Sequence, residues 1–139
     1  MAILGLNCVL YRGEAGQTAS TEMTNVKDVE MNLTTGEADI TTRAANGWRA
    51  YAATLKEASL TFQMNYESDD VDFKAIQTAF MNNSAIAFLV GDDKGNGLDA
   101  DFVITEFNIP QPLEEAVTVS VTAKPTLSTR APAWKTAGA

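Results

Sequence analysis

Any chemistry in this chain would have to come from carboxylates. Two pairs, Asp69 with Asp72 and Asp99 with Asp101, stand close enough in sequence to serve as acid and base, and "DDKGNGLDAD" (92–101) has the aspartate and glycine density of a cation loop. The chain has no histidine, which removes the commonest general base, the commonest metal ligand and the partner that activates a serine or cysteine nucleophile. With 18 acidic residues, carboxylate pairs arise by chance, and both pairs are expected on solvated surface. A calcium loop starting at Asp92 would find Asn96 and Gly97 in place, but Lys94 stands where a ligand belongs and no glutamate closes the loop at its twelfth position. A turn between two strands, with Gly95 and Gly97 at positive φ, explains the same residues. Hydrolase-elbow, P-loop and dinucleotide fingerprints are absent from the sequence. Cys8, among Leu6, Val9 and Leu10, reads as buried filler. No catalytic residue, cofactor or metal is expected.

The elements must therefore be read for something other than catalysis. A chain of 139 residues, 45% hydrophobic and 20% charged, suits a single domain spanning 1–139, and no apolar run reaches the roughly 20 residues that cross a bilayer. The start, "MAILGLNCVLYRG", lacks the basic region and cleavage site of a secretory signal, so a cytoplasmic site of synthesis and residence is expected. A net charge of −8 argues against gripping nucleic acid, since Lys and Arg on phosphates supply most non-specific affinity. The charge is uneven: from Lys124 onward come Arg130 and Lys135 and no acidic residue. The tail 125–139 either docks on the acidic body of another copy or hangs free.

Period-two alternation is the clearest structural signal. "AVTVSVTAK" sets Val117, Val119, Val121 and Ala123 against Thr118, Ser120 and Thr122; "VEMNLT" sets Val29, Met31 and Leu33 inward; "ASLTFQMNYE" does so with Ala58, Leu60, Phe62, Met64 and Tyr66. "AIAFLVG" from Ala85 reads as a strand covered on both faces, and "DFVITEFNI" from Asp101 as one with Val103, Thr105, Phe107 and Ile109 on one side. Residues 1–12 form a further strand or an arm. One helix is expected in "SDDVDFKAIQTAFMNN", where Phe73, Ile76 and Phe80 recur at helical spacing, Ser68, Asp69 and Asp70 offer a cap, and Asn82 and Asn83 suit the end.

Between Leu33 and Ala58 no secure strand is visible, and the segment 34–57 is expected to be a long loop with a reason for its length. Within it Trp48, Tyr51, Ala52 and Leu55 fall at helical spacing, so residues 47–57 are either helix or loop. Trp, Tyr and Arg here suit a contact surface, while Trp48 and Leu55 could instead pin the loop to the domain's own core. The length favours the contact surface.

The order of these pieces resembles the tail tube proteins, or major tail proteins, of long-tailed phages. The matching residues are "LYRG" (10–13), "NVKDVEMNLTTGEADITTRAANGWRA" (25–50), "LKEASLTFQMNYESDD" (55–70), "FKAIQTAF" (73–80) and "PLEEAVTVSVTAKPT" (112–126). The resemblance implies a mainly β fold, an antiparallel sandwich or barrel-like domain with one flanking α-helix and a long inter-strand loop. It implies a structural virion protein, not an enzyme, whose hexameric rings stack into a tube through which DNA passes into the host without specific binding. It assigns subunit contacts to Asp39, Arg43, Trp48, Arg49, Tyr51 and Leu55 in the loop and to Arg130 and Lys135 in the tail. Implied partners are copies of itself, a tape measure protein, a tail terminator and a distal tail protein, with no membrane contact. The implied location is the virion tail, assembled in the host cytoplasm. Alternatives are a tail terminator, the inner tube of a contractile injection device, a monomeric β-sandwich binding module, and a carboxylate-dependent hydrolase.

Overall fold

The computed structural model describes residues 4, 5, 8–92 and 94–136; the remainder of the expected arm at 1–12, Asp93 and the last three residues lie outside them. Eight strands and one helix follow in the order β1 (Val9–Glu14), β2 (Thr21–Glu22), β3 (Val26–Asp39), β4 (Tyr51–Asn65), α1 (Val71–Met81), β5 (Ile86–Gly91), β6 (Gly97–Asn108), β7 (Thr118–Pro125) and β8 (Ala133–Lys135). All pairings are antiparallel, in the order β2-β1-β5-β6-β7-β4-β3, with β8 joining β6 beyond the end of β7. The sheet curls into a half-barrel. Its curvature is legible in the aromatic contacts: the rings of Phe62 on β4 and Phe88 on β5 are 5.6 Å apart although two strands separate them in the sheet.

Alternation builds the concave core. Leu60, Phe62 and Met64 of β4, Phe88 of β5, Phe102 of β6 and Val119 and Val121 of β7 are fully buried; each stabilises by about 1.5–3 kcal/mol relative to exposure. Helix α1 closes the core with Phe73, Ile76 and Ala79, and Phe73 and Phe80 pack on Phe107 with centroids 5.8 and 5.6 Å away. The helix ends as expected, with Asn83 in the left-handed region (φ 53°) and its backbone N–H donating to the Phe80 carbonyl. At its start Asp70 occupies the cap position without a side-chain hydrogen bond, and Asp72 in the first turn is tied to Arg12 instead.

Several residues sit elsewhere than the alternation predicts. Strand β6 begins at Gly97, and its inward residues are Leu98, Ala100, Phe102 and Ile104, the opposite parity to the expected Val103 and Thr105. A bulge between Ile104 and Glu106 reverses the parity, so that Phe107 and Ile109 then turn inward as the pattern requires. Val29 and Leu33 are 40% and 52% exposed, on β3 at the edge of the sheet with a neighbouring strand on one side only; of the three residues expected inside, Met31 packs on the core, as does Val26 at the strand's start. Tyr66 is also partly exposed, though its ring meets Phe73 edge-on at 5.2 Å. Cys8 is exposed, since it precedes the first paired residue, Val9.

The bulge gives a sharp test. Replacing Ile104 with valine should cost about 1 kcal/mol in urea unfolding, whereas valine at Thr105 should stay within about 0.5 kcal/mol. An uninterrupted strand with Thr105 inside would reverse that ranking.

The β5–β6 turn is organised around Asp92. The Asp92 carboxylate accepts from the backbone N–H groups of Lys94 (2.9 Å) and Asn96 (3.0 Å) and from the Asn96 side chain (3.1 Å), which holds it below the ordinary aspartate range, the Asn96 backbone contributing most. Gly95 has φ 85°, but Gly97 does not have positive φ; it is glycine because a β-carbon there would run into the Val90 carbonyl oxygen. Alanine at Gly95 should destabilise by about 1 kcal/mol through left-handed strain, read from the urea midpoint.

Candidate assembly surface

The segment from 34 to 57 is mostly paired backbone, and the loop shrinks to its tip. Strands β3 and β4 continue together past the body, pairing Thr34 with Glu57, Thr35 with Lys56, Glu37 with Ala53, Ala38 with Ala52 and Asp39 with Tyr51. Six residues beyond Leu33, at about 3.3 Å each, give a ribbon projecting about 20 Å. Midway, Thr54 and Leu55 face the single Gly36, where a β-carbon would strike the Thr54 hydroxyl. The helical spacing of Trp48, Tyr51, Ala52 and Leu55 is overridden: strand pairing begins at Tyr51, and the only helical turn at the tip is a 3-10 turn at Arg43–Ala45.

The tip is rigid by local hydrogen bonding. Asp39 Oδ1 accepts from the Thr41 N–H at 2.9 Å, and Thr42 caps the 3-10 turn through Oγ1 to the Ala44 N–H at 3.3 Å. Asn46 (φ 56°) and Gly47 (φ 84°) reverse the chain, Ile40 N–H donates to the Ala50 carbonyl at 2.9 Å, and Ala50 N–H to Thr41 Oγ1 at 2.8 Å. None of these bonds uses the large side chains. Trp48 is 79% exposed, Leu55 86%, Ile40 55% and Tyr51 52%. A well-ordered ribbon that leaves this much apolar surface in water is unusual for a chain acting alone. Trp48 therefore does not pin the segment to its own core. Arg43 is exposed, and Arg49 meets Asp39 only at 3.7 Å across exposed side chains, a pair that contributes little.

Six of the eight residues expected at subunit contacts thus gather on this arm. The two tail residues lie elsewhere. Lys135 is exposed on β8, at the edge of β6. Arg130 is bound within its own chain: Nη1 lies 2.8 Å from Asp99 Oδ2, and Nε donates to Asp101 Oδ1 at 2.9 Å. Nη2 is 2.8 Å from the same Asp101 oxygen but off the hydrogen-bonding line, so it adds charge rather than a bond. The Gly16 N–H donates to Asp101 Oδ2 at 2.8 Å. Burial works to raise the Asp101 pKa, but Arg130, Ser128 and Gly16 outweigh it and hold the carboxyl below its ordinary value. Burial likewise opposes the Arg130 charge, and Asp99 and Asp101 raise its pKa nonetheless.

This clasp corrects the surface reading of Asp99 and Asp101, which are 6% and 2% exposed, and Asp72 is likewise buried against Arg12 (2.9 Å). In both carboxylate pairs an arginine claims at least one member. Asp-Ala-Asp between Leu98 and Phe102, alternating inside an apolar run, is the signal in the sequence that two carboxylates would be covered and need a cation.

The convex face differs between the two halves of the sheet. Over β5 and β6 it is covered, with Ala19, Ala87 and Leu89 packed under Tyr11 and the clasp alongside. Over β4 and β7 it is open, and the register places Thr61 beside Thr122, Gln63 beside Ser120 and Asn65 beside Thr118, a polar strip flanked by Glu30 on β3 and Glu106 on β6.

The fold and the chain have relatives. The chain has 16% identity with a subunit in the tail of an empty gene transfer agent particle refined with C6 helical symmetry, at a TM-score of 0.79 over 97% of this chain and 100% of that one. The SPP1 tail tube aligns at 0.67 with 14% identity, over 88% of this chain and 75% of that one. A chain of the anti-feeding prophage baseplate aligns at 0.61 with 4% identity, over 100% and 99%. At these identities the likeness is one of fold. A search among curated proteins finds no match. The family model described as phage tail tube protein matches residues 3–127, a stretch that takes in the arm, the open polar face and the helix and ends just before Arg130, and the chain therefore belongs to the phage tail tube protein family.

Proposed function

We propose that this chain is the repeating subunit of a hollow tail tube, built from stacked hexameric rings, through which DNA passes without being bound. The observation that carries the reading is the arm: a paired ribbon of about 20 Å whose exposed Trp48, Tyr51 and Leu55 side chains are left largely uncovered by the described residues. Family membership and the likeness to a six-fold symmetric tail support it. The free edge of β3 offers unpaired backbone groups, and joining it to a neighbour's sheet converts an aggregation hazard into a ring contact. The Thr, Ser, Gln and Asn strip on β4 and β7 suits a lumen wall, because polar side chains flanked by the carboxylates of Glu30 and Glu106 give phosphates nothing to hold. The same reading places the protein in the virion tail, assembled in the host cytoplasm beside a tape measure protein, a tail terminator and a distal tail protein. Its role is structural rather than enzymatic.

Electron microscopy of the purified chain at high concentration tests this directly, with long hollow tubes expected. Single rings would favour a terminator, and a monomer at all concentrations would favour a binding module.

A further inference from the structure

The two ends of the sheet differ in charge, and the register says which end is which. Past Asn65 and Asn108 the chain turns through 66–70 and 109–117, two segments joined by the Tyr66 N–H to the Val117 carbonyl at 3.1 Å. This end displays Glu67, Asp69, Glu114 and Glu115 in water, with Leu113 98% exposed among them. Lys27, Pro110, Pro112 and Glu115 border an open groove of about 580 Å³ there. The opposite end carries the arm. At the arm's tip, from Ile40 to Leu55, the charged residues are Arg43 and Arg49, while Glu37, Asp39, Lys56 and Glu57 lie toward its base. Among the described residues Arg43 makes no ion pair, and the Arg49 pair is long and exposed.

We propose that the arm tip docks on the acidic end of a second copy of this chain, with Trp48 seated in the groove against Pro110 and Pro112 and with Arg43 and Arg49 facing Glu114 and Glu115. The proposal rests on the tube reading and names the surface that receives the arm. The partner is a copy rather than another protein because one chain carries both halves of the match at opposite ends. Such a head-to-tail contact is heterologous and can repeat from copy to copy, as an open stack requires. The ribbon carries the tip clear of its own body, so the tip meets whatever the next copy presents first. Proline rings offer flat apolar faces to an indole, and a chain of net charge −8 repels its copies except where two arginines meet two glutamates.

The experiment is a charge swap read by electron microscopy and sedimentation of the full chain. Glu114→Lys with Glu115→Lys should raise the concentration needed for tubes by about tenfold or more, since like charges placed together across an interface are costly. Arg43→Glu with Arg49→Glu should do the same, and the four changes combined should restore tubes. All four positions are exposed, and circular dichroism with thermal melting confirms that each variant is folded. Wild-type tubes together with unaffected Glu114→Lys/Glu115→Lys tubes would overturn this docking while leaving the tube reading intact. Failure of the combined variant to recover would overturn the pairing. A wild-type chain that never polymerises would remove both.

Discussion

Alanine at Trp48 and Arg49 leaves a folded chain that does not form tubes. The two halves of that expectation come from different bonds. The tip is held by backbone groups and by Asp39, Thr41 and Thr42, none of which is touched, and the Arg49 guanidinium reaches Asp39 only at 3.7 Å through water-exposed side chains. Monomer stability should therefore change by less than about 0.5 kcal/mol. Trp48, 79% exposed in the free chain, has nearly its whole side chain available for burial against a neighbour. Truncating a buried tryptophan or arginine anchor costs about 2–4 kcal/mol at each interface. A 2 kcal/mol loss is about thirtyfold in one association constant, and in the proposed stack of rings every subunit would dock at once, so the effects would compound. Thermal melting checks the first half, and sedimentation with electron microscopy the second. Normal tubes from the variant would sink the assignment of the arm to assembly.

How far the sequence makes this legible depends on where each residue's neighbours come from. Strand β7 and the body of β4 are readable because each has one dry face, so that Val119, Val121, Phe62 and Met64 keep strict alternation with Ser120 and Gln63. Helix α1 is readable because Phe73 and Ile76 point at a sheet and its polar side at water. The β6 parity is not, because a bulge at 104–106 leaves no composition of its own: Thr105 suits a strand wherever it points. The arm is visible as a segment with the right contact residues but not as a ribbon. Its strands have no dry face, so Thr34, Thr35, Ala52 and Ala53 are free of the hydrophobic patterning that makes a strand visible, and only the pairing across the hairpin holds them extended. The groove at the acidic end and the clasp both join segments far apart in sequence, Arg130 being 29 residues from Asp101, and no local spacing announces such a meeting.

The clasp yields the largest stability change expected of any ion pair in this chain. Arg130→Ala leaves Asp99 and Asp101 covered with no cation beside them, and breaking a buried pair from one side costs about 3–5 kcal/mol. Lysine at 130 keeps the charge but loses the planar fork that reaches both carboxylates, so it should fall between, at about 1–2 kcal/mol. The pH dependence separates the ion pair from mere packing. In the native chain the folded Asp101 pKa lies below its unfolded value of about 3.9, so its contribution is complete above that pH and is lost as pH falls through the folded value. Without Arg130, burial still works to raise the Asp101 carboxyl and only Ser128 and Gly16 remain to lower it, so its folded pKa rises from the native value. The folded variant then holds its proton to higher pH than the native chain, and the penalty is relieved as the pH falls into the acidic range. The stability gap between the two proteins, measured by urea unfolding, should be widest at about pH 7 and narrow steadily on acidification. Hydrogen exchange should show Ala133–Lys135 losing protection in the variant at neutral pH, because the segment between β7 and β8 then keeps only the Thr126 N–H to the Asp101 carbonyl and the short β8 pairing as backbone ties to the sheet. A gap that stays constant or widens as the pH falls would mean that Arg130 acts through packing, and that the two buried aspartates do not depend on its charge.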